Sequence, residues 1–170
     1  RAGYAGEGGG AIFLDASSPL IENATIAGNV AAAVGGGLNI SYYSHPHLVN
    51  CILWGNTPEQ ISFNTSWYGM AVTIDHSDVQ DGLAGIVTRD KGPVNWGDGN
   101  LGADPLFTGD YGLQAGSPCI NAGANQPWMA TEVDLAGHSR IAEDLVDIGA
   151  YEFTATPQPT PGSVTCVILP

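Results

Sequence analysis

Apolar residues recur along this chain in short alternating runs that are separated by glycine, asparagine and proline. The segment GGGAIFLDASSPLIENATIAGN (8–29) aligns without a gap with GGGLNISYYSHPHLVNCILWGN (35–56). The three glycines, one serine, one proline, one asparagine and the closing Gly-Asn pair coincide. A period of about 20–30 residues with this punctuation predicts a β-solenoid rather than a helical repeat. Runs of strong helix formers are nearly absent from the chain.

Each repeat predicts one coil of an all-β, right-handed parallel β-helix, a short solenoid with loop-rich C-terminal coils. Strands of successive coils then form parallel sheets around a column of aliphatic side chains. Two similar β-hairpins in a sandwich are the alternative. The alternation predicts these interior residues: Ile12, Leu14, Ile21 and Ile26 in the first coil, and Leu38, Ile40, Leu48 and Leu53 in the second.

Asparagine and glycine mark the predicted corners between strands. Asparagine tolerates the left-handed backbone conformation that a corner requires, and its side chain can bond to the equivalent asparagine one coil away. Stacked coils would therefore carry a ladder of corner residues. The predicted ladder consists of Asn23, Asn50, Gly28, Gly55, Asn29 and Asn56.

The motif Ser-Pro-x-Ile-x-Asn-x-x-Ile-x-Gly-Asn resembles the repeats of bacterial surface β-helix proteins. Five later segments resemble, in order, the C-terminal part of proteins with the choice-of-anchor Q domain. That family implies a secreted or surface-attached protein that ends its β-helix before a variable anchor, and it implies no particular activity. The five segments are ILWGNTPEQI (52–61), VTIDHSDVQDG (72–82), GADPLF (102–107), GDYGLQAGSPCINAG (109–123) and VDIGAYEF (146–153).

Composition divides the chain into three parts. Residues 1–153 form the predicted β-helix domain, and residues 154–162 are a Pro/Thr-rich linker that cannot fold alone. Residues 163–170, SVTCVILP, are apolar and strand-prone, and an exposed segment of this kind aggregates unless it is docked. We expect this tail to dock on a neighbouring subunit through Val164, Cys166, Val167, Ile168 and Leu169.

The charge balance is strongly acidic, with 4 Lys and Arg residues against 17 Asp and Glu residues and a net charge of −13. This surface repels nucleic acid and anionic membranes. No apolar run approaches the roughly 18 residues that would span a bilayer, so membrane insertion is not expected. Three cysteines, Cys51, Cys119 and Cys166, leave at least one unpaired within the chain.

Asp75, His76 and Asp78 are the candidate catalytic residues. Asp75 and Asp78 lie three positions apart, so they face opposite sides of a flat strand and converge only if a corner intervenes. His76 between them could act as an acid-base group of a polysaccharide lyase or hydrolase. Solvated loop carboxylates are the alternative, and we expect no catalytic activity.

A structural calcium ion is the candidate cofactor. Asp98, Asn100 and Asp104 place oxygen ligands on a glycine-rich loop, as calcium-binding loops do. The segment lacks the closing glutamate of an EF-hand loop. Asx-type turns that stabilise the loop itself are the alternative interpretation.

Five aromatic residues in and after the second coil form a candidate recognition platform. Aromatic rings on an outward-facing sheet can stack on sugar rings, and they equally suit a subunit interface. We expect a non-catalytic extracellular structural module that assembles end to end into a fibre or surface layer. A carbohydrate-binding or adhesive module and a polysaccharide-cleaving enzyme are the alternatives. The platform residues are Trp54, Trp67, Tyr42, Tyr43 and Tyr68.

Overall fold

The computed structural model describes residues 4–5, 10–66 and 68–155, and for residues 4–5 it describes the backbone alone. The regular structure of this part of the chain consists of short strands and two 3-10 helices, Gly82–Gly85 and Pro127–Thr131, and turns and loops form the rest. The strands are β1 Tyr4–Ala5, β2 Ile12–Asp15, β3 Leu20–Glu22, β4 Thr25–Ala27, β5 Val30–Ala31, β6 Leu38–Ser41, β7 His47–Val49, β8 Ile52–Trp54, β9 Ile61–Phe63, β10 Val72–Asp75, β11 Asp78–Val79, β12 Ile86–Val87 and β13 Val94–Trp96.

Three parallel sheets form a β-solenoid of about three turns. Sheet I has the order β12-β9-β6-β2, sheet II the order β13-β10-β7-β3, and sheet III the order β11-β8-β4. Leu20 pairs with His47 and Thr25 with Ile52, so the strand register reproduces the alignment of the two sequence repeats. Because every one of these strand pairs is parallel, the antiparallel hairpin alternative is wrong.

The interior is the predicted aliphatic column. Leu38, Ile40, Leu48 and Leu53 are completely inaccessible to solvent, and Leu14 and Ile26 of the first coil are buried against them. Ile12 and Ile21 pack on the same cluster while remaining partly exposed. Burial of a full aliphatic side chain contributes about 1.5–3 kcal/mol, so this column is the main source of stability.

The predicted corners are confirmed, whereas the predicted bonds between corner asparagines are wrong. Asn23 and Asn50 adopt the left-handed conformation with φ of 47° and 53°, and His76 takes the same position in the third coil with φ of 44°. Asn50 bonds through its carboxamide to the backbone of Ala124 instead of to Asn23. Among the described residues, the buried carboxamide of Asn23 has no hydrogen-bond partner.

A ladder between coils does exist one corner further along. Gly28 and Gly55 both have φ of 66°, which glycine adopts without strain. The backbone N–H and the side-chain amide of Asn29 donate to Oδ1 of Asn56 at 3.0 and 2.9 Å. This part of the predicted ladder therefore links the first coil to the second.

The C-terminal segment, residues 102–155, folds back over the solenoid and does not extend the stack. Gly149 N–H donates to the Asn50 carbonyl at 2.9 Å, and Ala150 N–H donates to Thr25 Oγ1 at 3.0 Å. A second apolar cluster forms against the outer face of sheet III, where Ile52 packs with Cys119 and Ile148. The expectation of further C-terminal coils is wrong for GSPCINAG (116–123) and DIGAYEF (147–153), because these segments cover a sheet face instead.

Several predicted features lie outside the described residues. They are Trp67, most of the linker, and the whole apolar tail with Val164, Cys166, Val167, Ile168 and Leu169. Cys51 and Cys119, the two cysteines within the described ranges, are both buried and unpaired.

Candidate functional site

The three candidate catalytic residues are carried to different faces by the corner between β10 and β11. Asp75 accepts a hydrogen bond on the outer face of sheet II, with 2.7 Å between its Oδ2 and Nε2 of His47. His76 forms the corner. Asp78 lies beyond the corner beneath the C-terminal segment, where Oδ1 accepts the Ala103 N–H at 3.1 Å. The corner between β10 and β11 therefore separates the two carboxylates and does not bring them together.

Asp78 anchors the C-terminal segment. It is fully buried, and the thiol of Cys119 donates to its Oδ2 at 3.4 Å. Burial raises the pKa of Asp78 to about 6, against the opposing effect of the bonds from Cys119 and Ala103. Burial and the neighbouring Asp78 charge also raise the pKa of the Cys119 thiol, which therefore stays protonated as the donor. The pair holds the segment to sheet III.

Asp78→Asn is expected to flatten the pH dependence of stability. Burial raises the folded-state pKa from 3.8 to about 6, so between these values the folded protein keeps a proton that the unfolded chain has released. The stabilisation is complete below pH ~4 and is lost as pH rises through about 6, a fall of about 2–3 kcal/mol. Urea unfolding at pH 4.5 and pH 7.5 would measure this fall.

The control is Asp90→Asn, which changes an exposed aspartate in a left-handed turn that asparagine also accepts. This variant should retain the wild-type difference between the two pH values. An equal difference in Asp78→Asn and the wild type would show that Asp78 is not the responsible group.

A second set of carboxylates holds the far part of the C-terminal segment together. Glu152 contacts Arg140 at 3.3 Å, accepts the Asp147 N–H at 3.0 Å, and has its pKa raised by burial to about 7. Asp134 is also desolvated by burial. Three backbone N–H donors and the His138 ring nevertheless hold its pKa below the usual value. These groups bind the protein's own backbone, which is a structural role.

The candidate calcium loop uses its oxygen atoms internally. Asn100 Oδ1 accepts the Ser77 N–H at 2.9 Å, and Asp104 Oδ1 accepts the Leu106 N–H at 2.9 Å. The Asp98 carbonyl accepts the backbone N–H of the corner residue His76. Across residues 10–66 and 68–155 no group of three or more His, Cys, Asp or Glu side chains is placed to hold a metal ion.

The predicted aromatic platform is divided between two places. Tyr42 and Tyr43 pack edge to face at 5.1 Å, and Lys91 lies 3.7 Å from the ring centroid of Tyr68. Trp54 instead lies half-buried in the second apolar cluster, under the C-terminal segment. The tyrosines stay exposed, whereas Trp54 packs on the second apolar cluster.

A groove that sequence reasoning missed runs between the first coil and the C-terminal segment. One cleft of about 340 Å³ is lined by Thr25, Asn29, Tyr111 and Leu135, together with Asp110 and Tyr151. A second cleft of about 240 Å³ lies next to the first and shares the lining residues Asp110 and Tyr151 with it. The signal in the sequence was two tyrosines in glycine-rich loops, in GDYGLQ and DIGAYEF.

The first coil is the edge of all three sheets. β2, β3 and β4 each stand last in their sheet order among the described strands. Three apolar side chains of this coil are exposed, with Phe13, Leu20 and Val30 at 49%, 57% and 40% exposure. An unpaired parallel edge of this kind is a template for a further strand.

A scan against protein-family models matches none of them, and searches of curated proteins and of solved structures find no match either. The fold itself is a parallel β-solenoid. A membrane-crossing helix, long and apolar enough for a bilayer, does not occur in the described ranges.

Proposed function

We propose that this chain is a non-catalytic structural module of the bacterial cell surface or extracellular space that joins end to end through its first coil. The observation that carries the proposal is the common edge of the three sheets at that coil. Location on the surface is supported by the resemblance to choice-of-anchor Q proteins. The catalytic alternative is weaker because Asp75 lies on sheet II and Asp78 lies on sheet III.

The backbone N–H and C=O groups of β3 alternate between the neighbouring strand β7 and the open side of the sheet. His47 N–H donates to the Pro19 carbonyl, and Asn23 N–H donates to the Val49 carbonyl, both at 3.0 Å. Polar groups of a strand alternate between its two neighbours, so the N–H and C=O of Leu20 and Glu22 point to the open side. Within the described part of the chain no strand pairs with these donors and acceptors, which have the spacing of a parallel strand.

The strand pairing at β5 supports a further coil in this register. Val30 bridges to Thr57 on one side and pairs with Tyr4 on the other, so one residue column already extends past the first coil. The partner we propose for the rest of the edge is a second copy of this chain. The apolar tail, residues 163–170, is proposed to strengthen that contact by docking on the neighbour.

Leu20→Pro/Glu22→Pro is expected to weaken self-association at least about ten-fold, because proline removes the two open-side donors and leaves the bonds to β7 intact. Both positions are extended in an edge strand, where proline is tolerated. Light scattering after size exclusion would give the oligomer distribution, and electron microscopy would show any filaments.

Leu135→Ser is the matched control, since Leu135 is 72% exposed and lies on the C-terminal segment. It should associate as the wild type does. A chain ending at Ala155 would show what the tail adds. A wild-type chain that remains a monomer at high concentration would contradict the proposal.

A further inference from the structure

The groove beside the first coil has the size and the lining of a ligand site. Its two clefts of about 340 and 240 Å³ share the lining residues Asp110 and Tyr151. Ligand sites in proteins are clefts of about 300–1,000 Å³ that combine apolar walls with a few placed polar groups. One wall is the first coil, from Thr25 to Ala27, and the other is the C-terminal segment.

Tyr111 is held in place before any ligand arrives. Its backbone has φ of 68°, a conformation that bulky residues rarely adopt. Its ring packs edge to face on Phe107 at 5.5 Å, and Phe107 belongs to the second apolar cluster. A rigid aromatic ring loses little conformational freedom on binding, which favours affinity.

The polar groups of the groove favour a neutral, hydroxyl-rich ligand. Asp110 is exposed, and bonds from the Thr108 hydroxyl and nearby backbone lower its pKa, so it is an ionised acceptor at neutral pH. Among the described residues that line the two clefts, none is lysine or arginine. An anionic ligand would meet the carboxylates of Asp110 and Glu152 and the net charge of −13, against which the described lining sets one histidine, His138.

We propose that the groove binds a short neutral oligosaccharide, with Tyr111 and Tyr151 packing on the apolar faces of the sugar rings and Asp110 accepting from hydroxyl groups. Aromatic rings supply large contact areas at low entropic cost, and a carboxylate accepts strong charge-assisted hydrogen bonds. This binding goes beyond the structural role proposed above and does not depend on it.

The test is a titration of the full chain with neutral hexasaccharides of glucose, xylose and N-acetylglucosamine, monitored by isothermal calorimetry. An oligogalacturonate of equal length serves as the anionic comparison. We expect at least one neutral hexasaccharide to bind and the oligogalacturonate not to bind. Tyr111→Ala should weaken binding by about ten-fold or more, and Asp110→Asn, a change at an exposed side chain, by about five-fold.

Tyr43→Ala and Tyr68→Ala are the matched controls, because these tyrosines are 61% and 66% exposed and do not line the groove. They should bind as the wild type does, and so should Leu20→Pro/Glu22→Pro, which separates this proposal from assembly. Absence of binding by every neutral hexasaccharide overturns the proposal. Binding that survives both groove variants, or that is lost in the Tyr43 and Tyr68 variants alone, also overturns it.

Discussion

Gly36→Ala is expected to destabilise the protein by about 3 kcal/mol or more, because the added carbon has no space between the first turns of the solenoid. A Cβ at this position would lie 2.3 Å from the Thr57 carbonyl oxygen and 2.4 Å from the Thr57 nitrogen. Both atoms belong to the backbone, so no side chain can rotate away. A Cβ added at Gly10, the next glycine of the column, would lie 2.2 Å from the carbonyl oxygen of Gly36.

Urea unfolding followed by circular dichroism would measure the loss. Gly109→Ala is the control, because a Cβ at that exposed glycine meets nothing within 4 Å and its φ is not in the left-handed range. This control should stay within about 0.5 kcal/mol of the wild type. Equal stability of the two variants would show that the repeated Gly-Gly-Gly motif does not require glycine for close backbone contact.

Asn50→Ala is expected to cost about 2–4 kcal/mol and to release the C-terminal segment. The side-chain amide of Asn50 donates to the Ala124 carbonyl at 3.0 Å, and its Oδ1 accepts the Ala124 N–H at 2.7 Å. Alanine would leave both Ala124 groups without partners and would also be strained at φ of 53°. Limited proteolysis should then cut within residues 102–155 before it cuts the coils.

Asn23→Ala isolates the contribution of these bonds. Asn23 occupies the same corner one coil earlier with φ of 47°, and within the described part of the chain its carboxamide bonds to nothing. Its replacement should therefore cost about 1 kcal/mol, the strain of alanine in a left-handed conformation. Equal costs for the two variants would contradict the assigned role of Asn50.

The coils could be predicted because each one encodes its own geometry. Leu38 and Ile40 alternate inward, and Asn23 and Asn50 mark corners, at positions that repeat along the sequence. The packing of residues 102–155 could not be predicted in the same way. Its anchors join residues that are 74 positions apart, as in Asn50–Ala124, and no periodicity relates such residues.

One local signal for that packing was present and was missed. The run CILW (51–54) is apolar at four consecutive positions, which is typical of a strand buried on both faces. Leu53 indeed faces the main core, while Ile52 and Trp54 face the second cluster. The groove was missed for a related reason. Tyr111 and Tyr151 line a cleft with Thr25 of the first coil only after the segment has folded back.

The anchors of the C-terminal segment also bear on cooperativity. In a solenoid each coil contacts its neighbours alone, so coils can open one at a time from an end. Here Thr25 of the first coil bonds to Ala150, and Asn50 of the second coil bonds to Ala124 and Gly149. Opening the first coil therefore requires the segment to detach as well. Amide hydrogens of the first two coils should consequently exchange together, in one concerted opening, rather than in sequence from the edge inward.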